Sequence, residues 1–171
     1  MEPTTTATPD TRTPVEIVTD LFASLINQRD ADLLAPYWDE NVHEVFPTGD
    51  VHGRQSMRDY FAATFAAMPD FHIEAEHIAG EGETVFVKWR MTGTFSGAPW
   101  QGIEPTGNRI ELHGMDCFTF RDGAAVHNHV IYDQLSFARQ IGMLPPKDSG
   151  PDKAMTAAFN AKTKLKKRLR G

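Results

Sequence analysis

Residues Gly114–Pro146 read GMDCFTFRDGAAVHNHVIYDQLSFARQIGMLPP. Two β-rich runs flank Asp122-Gly123, a pair suited to the positive φ angles of a tight hairpin turn. Asp133 stands where a helix N-cap is expected, and Gly142 where that helix ends, ahead of Leu144-Pro145-Pro146. The predicted order is therefore strand, turn, strand, capped helix. The same segment gathers Asp116, His127, Asn128 and His129, so its inner face is the first place to look for chemistry.

Which residues are inner depends on the turn. A three-residue loop, Arg121-Asp122-Gly123, sets the even-numbered residues of both strands on one face. Gly114, Asp116, Phe118 and Phe120 then stand beside Val126, Asn128, Val130 and Tyr132, with Asp116 opposite Asn128. A two-residue turn at Asp122-Gly123 instead sets Asp116 opposite His129, because a one-residue slip turns every side chain over. The three-residue reading sorts apolar from polar more cleanly and is the expected one. It leaves Met115, Cys117, Thr119, His127, His129 and Ile131 for an oligomer interface or a wet exterior.

Upstream of the hairpin, Thr13-Pro14-Val15-Glu16 has the form of a capping box with proline at the first helical position. Val15, Val18, Phe22, Leu25 and Ile26 follow at helical spacing. Asp30 caps a short second helix with Leu33 and Leu34 inward. After an extended piece from Val42 to Pro47, Met57, Tyr60, Phe61, Phe65 and Met68 mark a third helix over 54–68, stopped by Pro69. Phe71, Ile73 and Ala75, and then Val85, Val87, Trp89 and Met91, alternate with polar or outward residues as half-buried strands do. A loop rich in Gly and Pro (96–107) leads to the hairpin. Helices first and an antiparallel meander after them predict an α+β fold, with helices covering one face of a curved sheet. Residues 1–12 are expected to be a disordered leader, 13–146 the domain, and 147–171 a basic, partly helical tail.

Composition narrows the function classes. A chain of 171 residues holds one well-buried domain. There is no run of 18 apolar residues, so no membrane span is expected, and the N-terminus lacks the pattern of a secretory signal. The single cysteine, Cys117, excludes an internal disulfide and a Cys-based zinc site, and fits a reducing cytoplasm. Residues 162–170 (KTKLKKRLR) carry six of the seventeen Lys and Arg, so the other eleven face twenty-three Asp and Glu, a net of −12. An acidic body is a poor nucleic-acid platform. The basic segment is expected to be a solvated tail or a helix end docking on that body; attachment to a partner protein or anionic surface is the weaker alternative.

The strand–DG–strand–DQL…RQ-G-LPP pattern, with the three preceding helices, Gly53-Arg54 and Met68-Pro69-Asp70-Phe71, resembles the SnoaL-like polyketide cyclase group of the NTF2-like superfamily. The resemblance covers about residues 14–145. It implies a cone-shaped α+β barrel, a curved antiparallel sheet and N-terminal helices enclosing an apolar pocket, commonly as a homodimer packed through the sheet exteriors. Cyclases of this group close a ring by an intramolecular aldol reaction without metal or cofactor, using an Asp on the second hairpin strand in a His-x-Asp pattern. Here the triplet is Asn128-His129-Val130, so Val130 stands at the carboxylate's position and Asn128 at the histidine's. Asp116 matches a first-strand pocket residue that is His in the known cyclases.

Asp116 is the expected base: desolvation raises a carboxyl's pKa and suits it to take a proton from carbon α to a carbonyl. Asn128 is the expected donor to a developing enolate oxygen, with Tyr132 as a further donor. Tyr37, His43, Phe46, Trp89, Met91, Phe118, Val130 and Tyr132 are expected to contact a small hydrophobic ligand, and Trp100 to close the pocket mouth or pack at a dimer edge. His127 and His129 have metal-ligand spacing with His113 as the one obvious third ligand, but this group is expected to point away from the pocket, as interface or surface histidines, and no metal or cofactor is expected. Two functions compete. One is a cofactor-independent cyclase or isomerase for a polyketide-like carbonyl compound; the other is a non-catalytic binding module that kept the cavity and lost the base.

Overall fold

The protein is described by a computed structural model covering residues 12–170. Residues 1–11 of the expected leader lie outside it. Helix α1 spans Pro14–Asp20 and starts as the capping box predicts: the Thr13 backbone N–H donates to Glu16 Oε2 at 2.7 Å, and Glu16 N–H to Thr13 Oγ1 at 3.3 Å. The helix widens into one π turn at Leu21–Leu25 and tightens at Ile26–Gln28. Its buried stripe is Ile17, Val18, Leu21, Phe22 and Ile26, while Val15 and Leu25 are only half-buried. The π turn shifts the stripe from the one expected. Helix α2 (Ala31–Leu34) is capped by Asp30, buries Leu34, and leaves Leu33 exposed. Helix α3 (Arg54–Ala67) ends just before Pro69 and lays Met57 and Phe65 onto the sheet.

The strands are β1 (Trp38–Phe46), β2 (Gly49–His52), β3 (His72–Glu81), β4 (Thr84–Thr94), β5 (Arg109–Arg121) and β6 (Ala124–Tyr132). They form one curved, unclosed sheet in the order β2-β1-β6-β5-β4-β3. Every neighbouring pair is antiparallel except β1 with β6, so the sheet is a meander closed onto the early hairpin by one parallel pairing. Along β4 and β5 burial alternates strictly, as period-2 geometry demands of a sheet with one covered face. Helix α4 (Gln134–Gln140) is capped by Asp133, whose Oδ1 accepts from Ser136 N–H at 2.9 Å, and ends at Gly142 with φ +83°.

The hairpin itself departs from expectation. Arg121 pairs with Ala124, so the turn has two residues, with positive φ at Asp122 (50°) and Gly123 (81°), the pattern of a type I′ turn. Thr119 pairs with His127 but Phe120 with Ala125, so Val126 is an extra residue in a β-bulge. The bulge cancels the parity change of the shorter turn. Even-numbered residues of β5 face the core, as do those of β6 from Asn128 on and Ala125 before the bulge, but Asp116 lies opposite Val130, and Phe118 opposite Asn128.

The C-terminal segment forms helix α5 (Gly150–Arg170), pinned at its start by Arg139 to Asp152 at 3.3 Å. It does not dock along the acidic body: Phe159, Leu165 and Leu169 are all exposed. No described helix is long and apolar enough to cross a membrane.

Candidate active site

Between the helices and the covered face of the sheet lies a cavity of about 120 Å³. Its walls are mainly apolar and aromatic, from Phe22, Trp38, Phe61, Trp89, Phe118 and Phe137 among others. Phe46, Tyr60 and Tyr132, also in the lining, are half-buried and mark where it approaches solvent. Phe46 and Tyr60 stack at 4.4 Å between ring centroids. In this dry wall sit three buried polar side chains: Glu44, Asp116 and Asn128, exposed by 2%, 8% and 2%.

Asp116 is set by β5. Its neighbour across β4–β5, one step along, is the pair Trp89–Gly114. A Cβ on Gly114 would come within 2.2 Å of the Trp89 ring, so the absence of a side chain lets the indole lie across β5. From there Trp89 Nε1–H donates to Asp116 Oδ1 at 3.1 Å.

Glu44 is set by a local irregularity. Between Trp38 and His43 the β1 chain advances five residues while β6 advances only from Ala125 to His127. A regular strand would carry six residues over roughly 20 Å; the excess chain here brings Trp38 back so that its Nε1–H donates to Glu44 Oε1 at 2.9 Å. Beyond the irregularity Glu44 pairs in register with Asn128, whose Nδ2 donates to Glu44 Oε2 at 3.1 Å. Asn128 also lies beside Asp116 and favours its ionised form, while its Oδ1 is left without a partner.

The electrostatics follow from burial. Desolvation pushes Glu44 up to about 8, the nearby Asp116 charge adds to the rise, and the Asn128 and Trp38 donors oppose it. Desolvation likewise pushes Asp116 up to about 7, against the donors Trp89 and Asn128. Burial also raises the Tyr132 and Tyr60 hydroxyls, so both remain protonated donors at neutral pH. Near neutrality the pair is thus poised to hold one proton between its two carboxyls. That is the arrangement an acid–base pair needs.

The cavity brings together Asp116, Asn128, Phe46, Trp89, Met91, Phe118, Val130 and Tyr132. It excludes two expected residues. Tyr37 lies against Arg12, 5.8 Å from the guanidinium, and reaches toward Asp20; its neighbour Trp38 takes the wall position. His43 points to the opposite face of β1, where its Nε2 meets Asp50 Oδ2 at 2.9 Å. Trp100 is buried in the lining, packed edge-on against Phe137 and Tyr60. Glu44 was not expected. The signal was present in Val42-His43-Glu44-Val45-Phe46: His43 and Phe46, three apart, cannot share a face, whereas Val42, Glu44 and Phe46 do. Asn128, the expected enolate donor, has Nδ2 donating to Glu44 and its Oδ1 unpartnered. The set His113, His127 and His129 does not assemble: His113 lies by Glu76 and Glu111, four positions along β5 from Cys117, which faces His129.

The family model for SnoaL-like polyketide cyclases matches residues 16–141. The chain belongs to this family. Solved structures of the SnoaL-like fold overlay it closely. A protein of Jannaschia sp. CCS1 assigned to the SnoaL-like polyketide cyclases is 23% identical, with 77% of this chain and 93% of that one covered at a TM-score of 0.67. AclR of Streptomyces galilaeus, assigned as a hydroxylase, is 20% identical, with 92% and 97% covered at 0.66. The epoxide hydrolase/cyclase-like enzyme SalBIII, of pyran ring formation in salinomycin, is 24% identical, with 75% and 97% covered at 0.60. No curated protein gives a significant sequence match. At such identities the SnoaL-like neighbours share the fold, and the reaction must be argued from this chain's own residues.

Proposed function

We propose that this SnoaL-like protein is a cofactor-independent proton-transfer enzyme, a cyclase or isomerase acting on a small hydrophobic carbonyl compound of the polyketide type. The observation that carries this reading is the buried pair Glu44 and Asp116 inside an apolar cavity, with Asn128 donating to Glu44 and lying beside Asp116. Asp116 loses its proton first as pH rises, and accepts one from a carbon α to a carbonyl. Glu44, still protonated, gives its proton to the carbonyl oxygen as the C–H electrons move into the enol. In a ring closure the enol carbon attacks a second carbonyl of the same molecule. The proton on Asp116 passes to the new alkoxide, and the enol proton returns to Glu44. Val130, at the position of the family's carboxylate, is the cross-strand partner of Asp116, so the carboxylate is supplied from one strand over.

The test uses an acyclic 1,3-dicarbonyl probe in D2O, with deuterium entry at the central carbon followed by NMR. Asp116→Asn should lower the catalysed exchange by about 10²–10⁴-fold with the fold intact by circular dichroism. Equal exchange in the variant and the wild type would overturn the assignment.

The size of the cavity favours a second reading. At about 120 Å³ it falls short of the roughly 300 Å³ at which drug-sized sites begin, as suits a binding module for a compact ligand. Saturable quenching of tryptophan fluorescence without any catalysed exchange would establish that reading in place of the first. For the expected homodimer, the outer sheet face offers exposed Phe86, Met115 and Ile131 on adjacent strands. Light scattering should give twice the chain mass, falling to the single mass in Ile131→Glu.

A further inference from the structure

The outer face of the sheet carries a row of histidines across three neighbouring strands. His52 of β2 pairs with His43 of β1, and His43 pairs with His127 of β6. Cross-strand partners project to the same side. The His43 and His52 rings stack at 4.3 Å and 10°, and His127 meets His43 edge-on at 5.3 Å. Two residues before His52 on the same strand face, Asp50 places Oδ2 2.9 Å from His43 Nε2. One ligand atom from each of His43, Asp50 and His52 lies within 4.8 Å of the others.

We propose that His43, His52 and Asp50 form a site for a divalent transition-metal ion of the zinc type, on the sheet face opposite the cavity. Two imidazoles and one carboxylate suit Zn²⁺, Co²⁺ or Ni²⁺, whereas Mg²⁺ and Ca²⁺ prefer oxygen ligands alone. Tetrahedral zinc with bonds near 2.0–2.1 Å holds its donor atoms about 3.3 Å apart. Rotation of half-exposed side chains closes the remaining gap, since His43 and Asp50 are 36% and 51% exposed. The fourth position is left to water. Two ligands come from the four-residue edge strand β2 and one from β1, so the ion ties a short edge strand to its neighbour. His43 also precedes Glu44, which places the ion and the buried carboxyl pair back to back across one strand.

The experiment titrates untagged, chelator-treated full-length protein with CoCl₂ and then ZnCl₂. Expected are one Co²⁺ per chain with a visible d–d absorption band, its displacement by Zn²⁺, and a metal-dependent rise in Tm. His43→Ala and the exposed-edge variant His52→Gln should each weaken binding by more than about tenfold, while His129→Ala leaves it unchanged. Absence of saturable one-to-one binding overturns the proposal. So does loss of binding in His129→Ala with retention in His52→Gln, which would move the ligands onto β6.

Discussion

Residues 43 and 44 are consecutive on β1, and each sets a polar side chain beside a carboxylate, one outside the sheet and one inside. Outside, His43 meets Asp50 in water, with both side chains at least a third exposed. Inside, Glu44 and Asp116 are almost wholly excluded from solvent, and desolvation lifts both pKa values toward neutrality. The residue types are ordinary on both faces. What separates them is a single step of strand alternation, which decides whether water or an apolar wall surrounds the charge. Exposed groups of this kind hold or release ions, and buried ones divide a proton between them.

The sharpest way to break that contrast is to remove the inner acid. Glu44→Gln should lower turnover of a cyclisable or exchangeable substrate by about 10²-fold or more. In the wild type, activity should rise as Asp116 ionises through about 7 and fall as Glu44 loses its proton through about 8. The narrow bell belongs to the pair as a unit. Glu44→Gln should erase its alkaline limb, and a limb that persists would remove Glu44 from the role.

A second effect is on stability. In the unfolded chain both carboxyls lose their protons in the ordinary acidic range near 4; in the folded protein they hold them to about 7 and 8. The folded state therefore binds more protons across that window, and stability falls as pH rises through it. Asp116→Asn should flatten this fall, so that its Tm gains on the wild type between about pH 5 and about pH 9. Parallel thermal melts at the two pH values check it; a constant gap between them would show that burial is not what perturbs the pair.

The smallest expected change comes from Trp38→Phe. The Trp38 indole favours ionised Glu44, so its loss should move the alkaline limb upward by less than about one pH unit. A downward shift, read in the pH–rate profile, would contradict the hydrogen-bond assignment.

The fold was legible because its signals are local: a capping box, an Asp-Gly turn, Asp133 and Gly142 at the two ends of one helix, and period-2 strands. The cavity walls were legible in part, since most lining residues sit on strands whose alternation is visible. Asp116 could be placed inward from its strand alone. The inward face of Glu44, and with it the outward face of His43, is marked locally by the alternation of Val42, Glu44 and Phe46. The partners of Glu44 are not: they depend on the parallel β1–β6 pairing and on the excess chain after Trp38, both tertiary features that also set Trp38 rather than Tyr37 in the wall. The hairpin's inward face matches expectation although its turn is one residue shorter, because the turn and the bulge at Val126 each shift the pairing by one residue in the same sense, and a shift of two preserves the face while moving Asp116 from Asn128 to Val130.

That extra residue has a consequence for how such a pocket can change. Val126 contributes nothing to the lining, yet its place outside the ladder sets the phase of everything after it in β6. Were it paired regularly with Thr119 while the Asp122-Gly123 turn is kept, the rest of the strand would turn over by half a period. Asn128, Val130 and Tyr132 would leave the interior together, and His127, His129 and Ile131 would enter. Deleting it would instead leave Thr119–His127 and every later pair in place. The pocket's amide and phenol thus rest on a residue that can be lost silently but not drawn into the ladder.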